Sequence, residues 1–186
     1  MNPTSNKSDF EDLTTNLKDL AYSYLEKYSP SKQQLKVFLL KKYLTKIKGA
    51  ASKREVSTII DEIIINLEKN RIVNDELYSD SKARMFLRRG YSLNKINQSL
   101  RNKGIDSKYI KQTIDKIKED EIEPDFVSAL KLCKRRRIGP LRPEANRELF
   151  YKKDMGILAR GGFSFDLSKR ILNLDQKEFN KLLKIA

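Results

Sequence analysis

The chain has no histidine, no tryptophan, a single cysteine, five prolines and seven glycines. Without histidine it lacks the commonest general base and the commonest zinc ligand. With Cys133 as the sole thiol, no Cys/His metal cluster, no Ser–His or Cys–His pair and no internal disulfide can be assembled. A solitary thiol also fits a reducing compartment. A carboxylate-only magnesium site stays open in principle, but no glycine-rich phosphate loop accompanies one. No apolar run approaches the ~20 residues of a membrane span. Residues 1–12 lack the basic-then-apolar layout of a signal peptide. These absences point to a soluble, cytoplasmic protein that binds rather than catalyses, with no metal, no cofactor and no membrane partner.

What is present is helical. Of 186 residues, 39% are hydrophobic and 34% charged, and the apolar ones recur at helical spacing. Residues 1–12 read as a ragged, flexible tail. A first helix is predicted over 13–27, with Leu17, Leu20, Ala21, Tyr24 and Leu25 facing inward. Ser31 then caps a helix carrying Leu35, Phe38, Leu39 and Tyr43. A turn at 49–52 leads to a third helix with Val56, Ile59, Ile60, Ile63 and Leu67 inside. The pattern returns after Asn74 or Asp75, one of which caps a helix that Gly90 ends. Ser92 starts a short helix with Leu93, Ile96 and Leu100, and Gly104 stops it. Asp106 caps a third, bearing Ile110, Ile114 and Ile117. The last stretch holds helices over 126–137, 144–160 and 165–172, a stop at Ile138-Gly139-Pro140, and a final turn over 176–184.

Internal echoes support a repeat. Leu87-Arg88-Arg89-Gly90-Tyr91-Ser92 resembles Leu158-Ala159-Arg160-Gly161-Gly162-Phe163-Ser164, with a fainter copy at Leu25-Glu26-Lys27-Tyr28-Ser29. Ile60-Asp61-Glu62-Ile63 returns as Ile114-Asp115-Lys116-Ile117. The expectation is an all-α chain of three tandem three-helix units: 13–73, 74–122 and a divergent 123–186.

Charge is the most informative feature. The chain carries 39 Lys and Arg against 25 Asp and Glu, a net charge of +14. Such a surplus attracts polyanions: nucleic acid, an acidic protein surface or an anionic membrane. Residues 31–54 hold eight basic residues, 81–104 seven and 126–142 six, all without an acidic one. Between them, 55–80 carries −5 and 105–125 carries −3. Basic parts recurring in successive units suggest a cationic stripe suited to a long linear polyanion. The candidate contacts are Lys36, Arg84, Arg88, Arg89, Lys95, Arg101, Lys103, Lys134, Arg135, Arg136, Arg137 and Arg160. Arg84 and Arg88 share a face one turn apart, away from Ala83, Phe86 and Leu87. Lys134 to Arg137 end a helix, where cations are favoured by ~0.3–1 kcal/mol. Cys133 lies on the apolar face with Phe126 and Leu130 and reads as a buried, inert thiol. Tyr91 and Phe163 read as packing residues at interhelix turns rather than base-stacking platforms.

The second triplet carries a more specific signal. Ile72-Val73-Asn74-Asp75-Glu76-Leu77-Tyr78 is followed by Arg84-x-Phe86-Leu87-Arg88-Arg89-Gly90-Tyr91-Ser92 and then by Ile96-x3-Leu100-x3-Gly104-Ile105. This series resembles the RecX family of recombination regulators, with its acidic D-x-x-[FY] start, its R-x-x-R-x-G segment and its I-x-x-x-L-x-x-x-G-[IV] second helix. The resemblance is strongest over 70–105 and weaker over 13–70, where the arginines are missing. In the last third it takes the form of a divergent repeat. It implies an elongated, curved array of three-helix repeats. It further implies a monomer that binds the RecA recombinase filament in its helical groove, with single-stranded DNA contacted inside, and that inhibits ATP hydrolysis and strand exchange. Charge alone supports an alternative, a general DNA- or RNA-binding helical protein.

Overall fold

The computed structural model describes residues 3–47 and 52–185. The turn expected at 49–52 therefore lies outside the described residues, except for Ser52. Among the described residues every regular element is helical. They are α1 (Pro3–Leu25), α2 (Lys32–Lys42), α3 (Lys53–Lys69), α4 (Asp75–Arg88), α5 (Leu93–Arg101), α6 (Ser107–Asp120), α7 (Pro124–Arg136), α8 (Glu144–Arg160), α9 (Phe165–Leu172) and α10 (Gln176–Ile185). A π-helical turn at Tyr43–Ile47 extends α2, and a 3₁₀ turn at Gly139–Leu141 separates α7 from α8.

Local chemistry sets the starts. Ser31 and Ser52 each accept a hydrogen bond from the backbone N–H three residues on, and Gln34 and Glu55 reach back to the cap residue's own N–H. These reciprocal pairs satisfy two donors that the helix itself leaves open. The same contact lowers the pKa of the Glu55 carboxyl, chiefly through its bond with Ser52. Ser92 and Ser164 cap α5 and α9 by accepting the N–H three residues on, and Asp106 caps α6 by accepting the N–H of Lys108, without a reciprocal bond. Asn74, not Asp75, caps α4, its Oδ1 accepting from the N–H groups of Glu76 and Leu77.

Two expectations are corrected. Residues 3–12 are helical rather than a ragged tail, since the apolar face of α1 extends back through Leu13 to Phe10, which packs on the first core. Proline at the first helical position, Pro3, suits such a start. The final turn is a full helix, α10, whose Phe179 is fully buried.

The chain divides into two compact units. One comprises Met1–Tyr78 with Lys103–Ile105, the other Ser79–Asn102 with Asp106–Ala186. The core of the first joins Leu13, Leu17 and Ala21 of α1 to Leu35 and Leu39 of α2 and to Val56, Ile60, Ile63 and Leu67 of α3. Each large aliphatic side chain so buried contributes roughly 1.5–3 kcal/mol. Tyr24 stacks on Phe38 with ring centroids 3.9 Å apart, closing one edge. In the second unit, Phe126, Leu130 and Cys133 of α7 meet Leu158, Ile171, Leu172 and Phe179. Ala83, Ile96, Leu100, Ile110 and Ile117 are also buried there.

One joint occurs twice, once in each unit. At the start of α2, the Lys32 N–H donates to Asp75 Oδ1 at 2.9 Å and the Ser31 hydroxyl donates to the Lys103 carbonyl at 2.7 Å. At the start of α5, the Leu93 N–H donates to Asp125 Oδ1 at 2.7 Å and the Ser92 N–H donates to the Gly161 carbonyl at 3.1 Å. Each joint is closed by a left-handed glycine. Gly104 (φ +72°) lies against Gln33, and Gly162 (φ +90°) lies against Ser92 Oγ and the backbone N of Lys95. Neither site has room for a Cβ, so glycine is required on steric as well as torsional grounds.

The joint makes α7 the counterpart of α4, α8 of α5, and the turn at 161–163 the counterpart of the turn at 103–105. The sequence echo between 87–92 and 158–164 therefore pairs segments in different places. Ser92 caps the second helix of its triplet, whereas Ser164 caps α9 as Asp106 caps α6. The reason is local. A glycine, an aromatic and a serine make a generic helix stop and restart, usable at any junction.

Candidate nucleic-acid interface

The predicted contact residues fall into distinct settings. Lys36 is half-buried, and its ammonium pairs with both Asp61 oxygens at 2.6 and 2.8 Å. Arg84 and Arg88 are exposed on α4, and Arg89 is exposed just beyond it. Arg84 borders a cleft of about 190 Å³ lined also by Asp80, which pairs with Lys116 at 3.2 Å, and by Asp120 and Glu121, so its field is partly cancelled. Lys103 is exposed in the turn after α5. Lys134, Arg135, Arg136 and Arg137 are all exposed at the end of α7. Arg137 takes a left-handed backbone (φ 53°), and Arg135 sits over the Tyr91 ring at 5.5 Å.

Three predicted cations are brought together. Lys95, Arg101 and Arg160 line a groove of about 640 Å³ with Asn94, Asn97, Gln98, Ala159 and Gly162. No carboxylate is among these residues. Helical phase explains one wall, because 94, 97, 98 and 101 follow the i, i+3, i+4, i+7 pattern of a single face of α5. The joint explains the other, since Gly162 permits the end of α8 to approach the start of α5. Asn97 Oδ1 accepts from Arg101 Nε at 2.9 Å and holds the guanidinium in place. Such a groove offers fixed positive charge flanked by amides that both donate and accept hydrogen bonds. The three amides were missed from the sequence, although their spacing with Arg101 was there to be read.

Other polar groups serve the fold. Asp154, 1% exposed, receives Arg142 Nε and Nη2 at 2.7 Å each and the Gly139 N–H at 2.9 Å. The hydrogen bonds to Asp154 raise the Arg142 pKa. Arg142 also lies 4.5 Å over the Phe150 ring. Burial pushes the Cys133 thiol up to about 12, so it stays a neutral packing group at physiological pH. Phe163 is buried, and Tyr91 packs edge-on against Phe86 at 5.6 Å, as expected of interhelix turn residues. No cluster of potential metal ligands occurs among the described residues, and no described helix is long and apolar enough to cross a membrane.

Relatives resolve the family. A family model described as RecX, second three-helix domain, matches residues 74–114. A regulatory protein RecX from Myxococcus xanthus is 31% identical over 161 residues, covering 86% of this chain and 85% of that protein. The chain belongs to the RecX family. A RecX protein from Clostridioides difficile is 29% identical over 133 residues, covering 69% of this chain and 58% of its own length. One from Corynebacterium efficiens is 31% identical over 123 residues, covering 62% and 57%. A crystal structure of a regulatory protein RecX has the same fold, with a TM-score of 0.62 at 20% identity over 94% of this chain and 79% of that one. The groove on α5 thus lies in the segment that matches the RecX second domain, apart from its α8 wall.

Proposed function

We propose that this chain regulates homologous recombination and DNA repair by binding the RecA–single-stranded-DNA filament in its helical groove and inhibiting the recombinase, both ATP hydrolysis and strand exchange. The observation that carries this reading is membership of the RecX family, whose relatives here bear the name of regulatory proteins. The chemistry agrees with it. A net charge of +14 with acid-free runs in successive helical triplets favours a long polyanion over a compact ligand. The proposed contact set runs from Lys36 through Arg84, Arg88, Arg89, Lys95, Arg101 and Lys103 to Lys134–Arg137 and Arg160, spread over units 13–73, 74–122 and 123–186. The protein acts in the cytoplasm as a monomer, without catalysis, metal or cofactor.

The test is recombinase ATP hydrolysis on single-stranded DNA, with this protein titrated in while DNA is in excess. Inhibition at substoichiometric protein is expected, since competition for plentiful DNA sites cannot produce it. Undiminished hydrolysis would overturn the reading.

The groove of Lys95, Arg101 and Arg160 favours a second reading, a general binder of DNA or RNA. Binding through phosphates alone falls steeply between about 50 and about 200 mM salt, whereas filament inhibition through shape and apolar contacts outlasts that change.

A further inference from the structure

We propose that the groove between α5 and the α8–α9 turn is a seat for the sugar–phosphate backbone of one nucleic-acid strand, which deepens the proposed function and rests on the chain meeting single-stranded DNA.

Three observations converge on this assignment. The groove carries three cations and no carboxylate, unlike the cleft beside Arg84, which three carboxylates border. Its positive groups are distributed over two walls: Lys95 and Arg101 on α5, Arg160 at the end of α8. A strand lying along it would meet cations on both sides, as consecutive phosphates need. Arg101 is held by Asn97 at 2.9 Å, so its planar fork is oriented before a ligand arrives.

Size and lining set the ligand class. A volume of about 640 Å³ admits a nucleotide or two of a single strand, but not a double helix. Asn94, Asn97 and Gln98 supply donors and acceptors for sugar hydroxyls and base edges, which an unpaired strand leaves open. No aromatic side chain lines the groove, so base stacking contributes nothing and binding there is electrostatic and tolerant of sequence. An acidic protein segment is the competing occupant, and the test separates the two.

The probe is a labelled oligothymidylate, with binding read by fluorescence anisotropy from about 50 to about 200 mM salt. The triple variant Lys95→Gln, Arg101→Gln, Arg160→Gln is compared with Lys111→Gln, Lys177→Gln, Lys184→Gln. The second set removes the same charge from exposed positions outside the groove. Both are checked for unchanged helix content by circular dichroism. The groove variant is expected to bind at least tenfold more weakly at low salt and to lose about 2 from the slope of log K against log salt, at about 0.7 per phosphate contact. The control is expected to lose less than threefold. Equal losses in both variants would reduce the groove to diffuse charge and overturn the proposal. So would a groove variant that binds the oligonucleotide normally. Recombinase inhibition, measured in parallel on the wild type, reports on the regulator reading separately. If the wild type inhibits and the groove variant binds DNA normally yet no longer inhibits, the groove faces acidic protein and the strand assignment fails while the regulator reading stands.

Discussion

The start of α2 and the start of α5 are the same joint with different outer faces. Both begin at a serine cap, both donate their first N–H to an aspartate that opens a later helix, and both receive a left-handed glycine turn. Position by position, Leu35 and Ile96 are fully buried, as are Leu39 and Leu100 to within 1%. Away from the core the two diverge. Gln34 of α2 is bound to the Ser31 N–H and to the Tyr78 hydroxyl, while its counterpart Lys95 lines an open groove. Val37 and Leu40 stand where α5 has Gln98 and Arg101. Lys36 is tied to Asp61, and its counterpart Asn97 orients Arg101. The joint is a structural constant, and the residues that face away from it decide whether a repeat presents a cationic surface.

The most disruptive way to probe that comparison is through the shared core. Leu35→Ala and Ile96→Ala should each cost about 3 kcal/mol, the usual range for an emptied aliphatic site. Urea unfolding followed by circular dichroism measures this, and a much smaller loss at either would deny that the two joints are built alike.

The paired aspartates separate next. Asp75 is buried, and Asp75→Ala leaves the Lys32 N–H without its acceptor, so a loss of about 2 kcal/mol is expected. Asp125→Asn keeps an acceptor for Leu93 and should stay within about 1 kcal/mol of wild type at neutral pH. Burial raises the Asp125 carboxyl above its ordinary pKa, the Leu93 N–H and Lys118 offsetting this in part. The folded state then takes up the proton before the unfolded state as pH falls. Asp125 therefore costs stability at neutral pH and ceases to do so as pH drops through its raised pKa toward the ordinary carboxylate range. Wild type should gain on Asp125→Asn across that window, and parallel pH–stability curves would contradict the assignment.

Ser31→Ala removes both a cap and the hydroxyl bond to Lys103, whereas Ser92→Ala removes a cap alone. Losses of about 2 and about 1 kcal/mol should follow. The reverse order in thermal unfolding would show that the two serines do not share a role. The smallest effect separates the outer faces. Lys95→Gln should reduce the salt slope of single-strand binding by about 0.7, and Lys36→Gln, whose charge is partly offset by Asp61, should reduce it by less.

Most of the fold was legible because helix starts and stops are local. Serine and aspartate caps, glycine terminators and the 3.6-residue apolar rhythm placed α2 to α9 within a few residues. The ends were misread for want of local punctuation: α1 continues through a polar stretch because Phe10 finds the core, and α10 forms because Phe179 does. The candidate site was legible only as a list of cations. Nothing local says that Lys36 is partly offset by Asp61, that Arg84 shares a cleft with three carboxylates, or that Arg160 meets Lys95 and Arg101 across one groove.

By itself, then, the sequence determined the helices, the apolar faces, the surplus of positive charge and the family motifs of 72–105, since each depends on neighbours within a turn or two. Tertiary structure alone decided which segments are equivalent and which cations act together. A joint between distant residues sets both, and charges add or cancel by distance in space rather than along the chain.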